Sequence, residues 1–312
     1  MYLVCGEALF DVFTAPAGTQ RNHMKLDAVA GGSPFNVALG LARLGTPPAL
    51  LTGLSRDLFG RQLRQVLEDE CVDLSYLVDF DAPTTLAMVA LGADGSPVYN
   101  FRGTGCADRL PTEEHLAPLS DDIRGIHFGS YSIVTQPIAD TLLLLARRES
   151  SHRLISLDPN IRLNVEPDLT RWRERVEALA ELAHLIKVSD EDLAQLYPGE
   201  EAAAVVQRWL QGGSCQFVVL TFGADGAQLF SRHHGVLHAE AYAVTVRDTV
   251  GAGDTFQAAL LSYLQLHQLD TAEALAQIGH DQLQAMLAFA VQAAAITCSR
   301  RGPDLPYRYE IA

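Results

Sequence analysis

Asp248-Thr249-Val250-Gly251-Ala252-Gly253-Asp254-Thr255-Phe256 is the stretch on which the reading of this chain turns. Two glycines around an alanine leave backbone N–H groups uncovered at a turn. The residues that follow, Phe256, Ala258, Ala259, Leu260, Leu261 and Leu264, predict a buried helix. Uncovered N–H groups at a helix start attract an anion, so Gly251, Ala252 and Gly253 form a candidate phosphate cradle. Asp254 would stand at the helix entrance beside that anion, where a carboxylate can accept a hydroxyl proton. The same residues also read as an ordinary capped turn, since aspartate is a favoured N-cap. The apolar helix behind the polar start favours a site. A carboxylate at a positive helix end is expected to have a low pKa, so positioning rather than basicity would dominate its chemistry.

Composition bounds the rest. The 312 residues, 48% of them hydrophobic, suffice for one large α/β domain over 1–312. A formal charge of −15 argues against nucleic acid as partner. It leaves ATP open, because helix N-termini and Mg²⁺ hold phosphates locally. Cys5, Cys71, Cys106, Cys215 and Cys298 show no C-x-x-C spacing, so neither a zinc site nor a disulfide framework is indicated. The opening lacks a basic n-region and no apolar run is long enough to span a membrane, so a soluble cytoplasmic protein is expected. The only lysines are Lys25 and Lys187, and neither follows a glycine, which excludes the P-loop pattern.

Strand-like runs at 3–5, 50–54, 125–128, 154–157, 185–188 and 217–221 alternate with helical segments, including 34–45, 57–69 and 281–298. That rhythm predicts a mostly parallel sheet covered on both faces. Segments 226–230 and 236–246 read as antiparallel edge strands. Segments 84–91 and 97–102 flank Ala93-Asp94-Gly95-Ser96, which is hairpin chemistry, and predict a small β flap on the main sheet. Open parallel sheets bind ligands beyond the carboxyl ends of their strands. Asp11 follows the first strand region, Asp158 and Asn160 end a middle strand, and Thr221 and Gly223 end a later one. Each alone is compatible with turn chemistry; the repetition is what points to a site. His233, His234 and His238 read as solvated loop residues rather than a metal cluster.

A second motif, Gly31-Gly32-Ser33-Pro34-Phe35-Asn36-Val37-Ala38, runs straight into a helix. Gly32 permits close backbone approach, and Asn36 offers both a donor and an acceptor to hydroxyls. Together with the Asp248–Leu261 segment it resembles the paired signatures of the ribokinase-like, or PfkB, family of carbohydrate kinases. The resemblance covers essentially the whole chain, including Asp158-Pro159-Asn160-Ile161-Arg162 and Thr221-Phe222-Gly223-Ala224-Asp225-Gly226. It implies a three-layer α/β sandwich with a small β lid formed by about 12–30 and 84–105. It also implies ATP-dependent phosphorylation of a sugar hydroxyl with Mg²⁺.

The resemblance further implies roles. Asp254 matches the catalytic base, and Gly251, Ala252 and Gly253 match the anion hole. Asp11, Gly32 and Asn36 match sugar-binding positions, and Thr221, Gly223 and Gly226 match positions around the nucleotide. Asp248 and the backbone near Ser299 match a site for a monovalent cation such as K⁺. The family's Asn-x-x-Glu motif is replaced here by Ser189-Asp190-Glu191-Asp192, so Asp192 would reach Mg²⁺ through water. Lys187 could contact phosphate or cap a strand. Within the family, Gly6-Glu7-Ala8-Leu9-Phe10-Asp11 and the segment around Lys187 look most like fructokinases. Arg102 and Arg162 leave 2-keto-3-deoxygluconate open, since arginine grips carboxylates; alternatively Arg162 faces ATP and Arg102 packs on the lid. Ribose or a nucleoside, and a sugar-binding regulator without turnover, are the other readings. Lids of this kind often pair, so a homodimer is expected.

Overall fold

A computed structural model of the chain describes residues 1–14, 23–91 and 97–311. The chain opens with β1 (Tyr2–Cys5), β2 (Leu9–Thr14), β3 (Leu26–Gly31) and α1 (Ser33–Arg43). There follow β4 (Ala49–Ser55), α2 (Leu58–Asp69), β5 (Leu77–Phe80), β6 (Leu86–Leu91) and β7 (Pro97–Arg102). Next come β8 (Gly125–Gly129), α3 (Ile138–Glu149), β9 (Leu154–Asp158), α4 (Leu169–Ala180), β10 (Leu185–Ser189), α5 (Asp190–Leu196) and α6 (Ala202–Gly212). The last third holds β11 (Phe217–Thr221), β12 (Ala227–Ser231), β13 (Gly235–Ala239), α7 (Ala252–Leu266), α8 (Ala272–Ala276) and α9 (His280–Cys298).

Nine strands form one sheet in the order β13-β12-β11-β10-β9-β8-β1-β4-β5. All neighbours are parallel except β11–β12 and β12–β13, which are antiparallel. The near-continuous apolar runs of the central strands explain the architecture, because strands buried on both faces cannot alternate with polar residues. Leu3, Ile126, Phe128, Ile155 and Ile186 meet α3 to α6 through Leu142, Trp172, Leu196 and Trp209. Tyr2, Val4, Leu50, Leu154 and Val219 meet α1, α2, α7 and α9 through Leu41, Leu63, Leu260 and Leu287. Each fully buried side chain of this size contributes about 1.5–3 kcal/mol. Two cores, one per face, hold the sheet rigid between helix layers.

The second sheet is the lid, with strand order β3-β2-β6-β7. β2 pairs antiparallel with β3 and parallel with β6, which in turn pairs antiparallel with β7. The sequence pattern anticipated the β6–β7 hairpin, and the family resemblance anticipated lid residues near 12–30, where β2 and β3 pair. Segments 15–22 and 92–96, which contain part of the expected lid and its Ala93–Ser96 turn, lie outside the described residues. Asp11 is therefore a lid residue inside β2, not the polar end of the first core strand. The second edge strand is also shorter than expected: β13 ends at Ala239, and Ala241–Val246 run exposed without strand pairing. An apolar alternation survives there without a neighbouring strand to pair with.

Asp57 ties the two sheets locally. It caps α2 by accepting from the Gly60 N–H at 2.8 Å, and it accepts from the Thr84 N–H at 2.9 Å and hydroxyl at 2.7 Å, just before the lid strand β6. Burial pushes its carboxyl up, but these donors outweigh it and hold the pKa below the usual aspartate value.

Candidate active site

A cleft of about 800 Å³ opens at the carboxyl ends of the sheet strands, between the lid and the N-termini of α1 and α7. At its floor stands Asp254, buried in the first turn of α7. Gly251 caps that helix in a left-handed conformation, φ 80°, which a side chain would strain. The turn is braced from below: the Thr255 hydroxyl donates to the Gly251 carbonyl and lies 2.8 Å from the Thr297 hydroxyl of α9.

The Asp254 carboxylate is clamped by α1. Oδ1 accepts from the Ser33 hydroxyl at 2.6 Å and Oδ2 accepts from the Asn36 side-chain amide at 2.8 Å. Each carboxylate oxygen retains capacity for a further donor. Contrary to the low value expected at a helix N-terminus, its pKa is raised. Burial is the dominant cause, opposed by the Ser33 and Asn36 donors and by the charges of Lys187 and Arg162. Loss of water outweighs the partial charge of the helix end, so Asp254 is a better proton acceptor than its position alone suggests.

Lys187 projects from β10 into the same space. Its ammonium is 2.8 Å from Asp158 Oδ2, and both side chains are buried. A Cβ built on Gly253 would lie only 3.1 Å from Nζ, so the ammonium sits directly against the α7 turn. Burial works against this charge, but the carboxylates of Asp158, Asp192 and Asp254 outweigh it and raise the pKa above the ordinary lysine value. Lys187 remains a cation.

On the lid side, burial and the Asp254 charge push Asp11 up to about 6, with Arg162 pulling the other way. Arg162 also lines the cleft, its charge pulling on both Asp11 and Asp254 while its guanidinium donates to the Ile161 carbonyl at 2.9 Å. Gly32 rests against the Glu7 backbone, where a Cβ would come within 2.8 Å of the carbonyl oxygen. Phe101 and Tyr131 complete a wall, ring edge to face at 5.9 Å.

At the far end, Ser189 caps α5 by accepting from the Asp192 N–H at 3.0 Å, and Asp192 Oδ1 accepts from the Ile161 N–H at 3.0 Å. One Asp192 oxygen is thus committed to the backbone. Among the described residues no group of three or more His, Cys, Asp or Glu is arranged to hold a metal. This donor set suits a divalent ion held largely by water and phosphate oxygens, as Mg²⁺ is.

The cleft therefore gathers Asp11, Gly32, Asn36, Arg162, Lys187, Ser189, Asp192, Thr221, Gly223, Gly251, Gly253 and Asp254. Five expected residues are not in its lining. Arg102 stands exposed at the end of β7. Gly226 has its own reason to be glycine: a Cβ would strike the Ala239 carbonyl at 2.2 Å. Ala252 is half-buried between the two lining glycines. Asp248 accepts from the Val250 and Gly302 N–H groups at 3.1 and 2.9 Å, and the Ser299 hydroxyl donates to Ile296. Those two loops are joined where the Arg247 N–H donates to the Cys298 carbonyl at 2.8 Å.

Among the lining residues without a role from sequence, Ser33 and Glu7 bear most directly on the chemistry. Ser33 stood in the Gly31–Ala38 motif without a role of its own, yet its hydroxyl donates to Asp254. Glu7 is buried, accepts from the Ser132 hydroxyl at 2.5 Å, and is pushed up to about 7 by burial against the opposing Ser130 and Ser132 bonds. The signal was present: a carboxylate within the otherwise apolar run that follows β1.

Comparison with known proteins follows this geometry. Residues 2–308 match the pfkB family carbohydrate kinase profile. The chain is 37% identical over 284 residues to a fructokinase of Rhizobium leguminosarum bv. trifolii, covering 91% of this chain and 86% of that protein. It superposes on the fructokinase of Xylella fastidiosa solved with bound ATP with a TM-score of 0.88 at 29% identity, over 99% of this chain and 96% of that one. The aminoimidazole riboside kinase of Salmonella enterica, solved with aminoimidazole riboside and an ATP analogue, superposes at 0.82 and 27% identity, over 99% and 97%. The chain belongs to the pfkB family of carbohydrate kinases. Its reaction is ATP-dependent phosphorylation of a sugar.

The Glu7 environment has a stability consequence. A carboxyl whose folded pKa of about 7 exceeds its unfolded value binds more protons when folded, so its stabilisation is complete below the unfolded pKa and is lost as pH rises through 7. Urea unfolding of the ligand-free protein is expected to show stability falling between about pH 5 and pH 8, with Glu7→Gln removing on the order of 2 kcal/mol of that fall. Parallel pH profiles for parent and variant would refute the raised pKa.

Proposed function

We propose that this chain transfers the γ-phosphoryl group of ATP to the primary hydroxyl of D-fructose, giving fructose 6-phosphate and ADP. The observation that carries the reading is the buried Asp254 carboxylate, clamped by Ser33 and Asn36 at the start of α7 with the Lys187 ammonium across Gly253. The sugar hydroxyl attacks phosphorus, its O–P bond forms as the γ-phosphorus to β-oxygen bond breaks, and the hydroxyl proton passes to Asp254. Backbone N–H groups at Gly251, Ala252 and Gly253 and the Lys187 charge stabilise the transferring oxygens. Asp192 would hold Mg²⁺ through water, and the ion would supply neutralisation of phosphate charge. Thr221 and Gly223, with Ser189, border the nucleotide. Asp248 and the backbone near Ser299 shape a site for a monovalent cation behind the anion turn.

A neutral, hydroxyl-rich sugar fits the acceptor side better than a keto acid. Glu7, Asp11 and Asp254 line it, so acidic groups outnumber the single Arg162 guanidinium there, which disfavours a substrate carboxylate. Asp11 and Asn36 bind hydroxyls, and Gly32 keeps the approach open. The similarity to fructokinases selects fructose among neutral sugars.

The lid carries a partner reading as well. Met24 and Leu26, 73% and 50% exposed at the start of β3, leave apolar surface on a sheet edge, and a homodimer formed through the lids would cover it. Light scattering is expected to show a dimer for the parent and a shift to monomer for Leu26→Asp; a monomeric parent would end this reading.

Asp254→Asn should lower kcat at least 100-fold, about 2.7 kcal/mol of transition-state stabilisation, while a fluorescent ATP analogue still binds. A variant within tenfold of the parent would remove Asp254 from the base role. In a panel of sugars assayed with ATP and Mg²⁺, with and without K⁺, fructose should give the highest kcat/KM and K⁺ should raise it. Preference for 2-keto-3-deoxygluconate or a riboside would overturn the substrate, and sugar binding without ADP release would overturn catalysis.

A further inference from the structure

Lys187 faces the phosphoryl group in the reading above, but its buried partner Asp158 has no role in it. Leu157 of β9 and Ile186 of β10 are register partners, and the next residue of each strand is Asp158 and Lys187. Both therefore turn to the α7 face of the sheet, opposite the core formed by Leu157 and Ile186. They meet at 2.8 Å with side chains only 2% and 6% exposed.

Such a pair is a poor device for stability. Removing two charges from water is costly, and their attraction repays it only when the remaining hydrogen-bonding capacity is satisfied. Here it is not: Asp158 Oδ1 is buried with no hydrogen-bond partner among the described residues. Three carboxylates act on the one ammonium, those of Asp158, Asp192 and Asp254. Of these only Asp158 bonds to it. Were the ammonium to move to Asp254, it would neutralise the proton acceptor and leave the anion turn.

We propose that Asp158 is a positioning residue: its carboxylate holds the Lys187 ammonium against the Gly251–Gly253 turn, toward the transferring phosphoryl group and away from Asp254. The proposal rests on the reading of Lys187 as a phosphate ligand. Asp158 itself does not line the cleft, so it acts through Lys187 and touches no substrate. Its strand-end position supplies the rigidity, since β9 is held between β8 and β10.

The test is a double-mutant cycle in steady-state kinetics, with Asp158→Asn, which keeps the side-chain shape, and Lys187→Met. Asp158→Asn is expected to lower kcat at least 30-fold with the KM for sugar within threefold of the parent. Adding Asp158→Asn to Lys187→Met should cost less than a further threefold, because the group through which Asp158 acts is already gone. Parental turnover in Lys187→Met would overturn the phosphate reading of Lys187 and the proposal with it. A slow Lys187→Met beside a fast Asp158→Asn, or two losses that multiply, would overturn the positioning role alone. Circular dichroism and thermal unfolding report whether each variant folds. If Asp158→Asn by itself does not, the comparison of Lys187→Met with the double variant, in which the buried pair is absent, still decides the matter.

Discussion

Two hydrogen bonds on one carboxylate organise this molecule. Ser33 and Asn36 reach Asp254 across 221 and 218 residues of sequence, and they do so because α1 and α7 lie side by side on one face of the sheet. The first turn of α1 thus orients the side chain that the first turn of α7 supplies. Burial makes that carboxylate more basic, the donors keep it in one orientation, and Thr255 and Thr297 hold the helix start beneath it. A shift of either helix would loosen geometry that phosphoryl transfer requires to be tight.

Around that point, Lys187 lies against the α7 turn, while Arg162 lines the cleft without an ion pair to Asp11 or Asp254. Glu7, Asp11 and Asn36 offer acceptors and donors where a sugar enters. Thr221 and Gly223 border the other end. The cleft is therefore polar and divided: one part is suited to hydroxyl groups and the other to phosphates, with Asp254 between them. Asp11 sits on the lid strand β2, whereas Asp254 starts α7 and Lys187 stands on β10 of the main sheet, so the cleft draws its charged groups from both sheets and a helix.

Much of this was legible residue by residue. Glycines flanking an alanine before an apolar helix read as a turn at a helix start, open to an anion or to ordinary capping, and continuous apolar strands alternating with helices read as a doubly covered parallel sheet. Where the reading failed, a tertiary partner was responsible. The β2–β3 pairing, which puts Asp11 on the lid, has no local turn signal within the described residues. The alternation of Ala241–Val246 looks like a strand but has no neighbour. Gly226 belongs to its turn because Ala239 crowds it, and Arg102 lies outside the cleft lining although it ends the lid strand β7. The expected low pKa of Asp254 followed from the helix end, which is visible in sequence. Desolvation reversed it, and desolvation depends on what packs above.

What the amino-acid order determined alone is the set of local devices: strand runs, helix starts, the Gly31–Asn36 and Asp248–Phe256 turns, and the exclusion of a P-loop. Their physics is short-range, set by backbone freedom and side-chain periodicity over a few residues. Only the tertiary structure decided which side chains share a cleft, that Ser33 and Glu7 belong to it, and that Lys187 pairs with Asp158. Those outcomes depend on distance, burial and field between groups from separate elements, quantities that exist only once both faces of the sheet are covered.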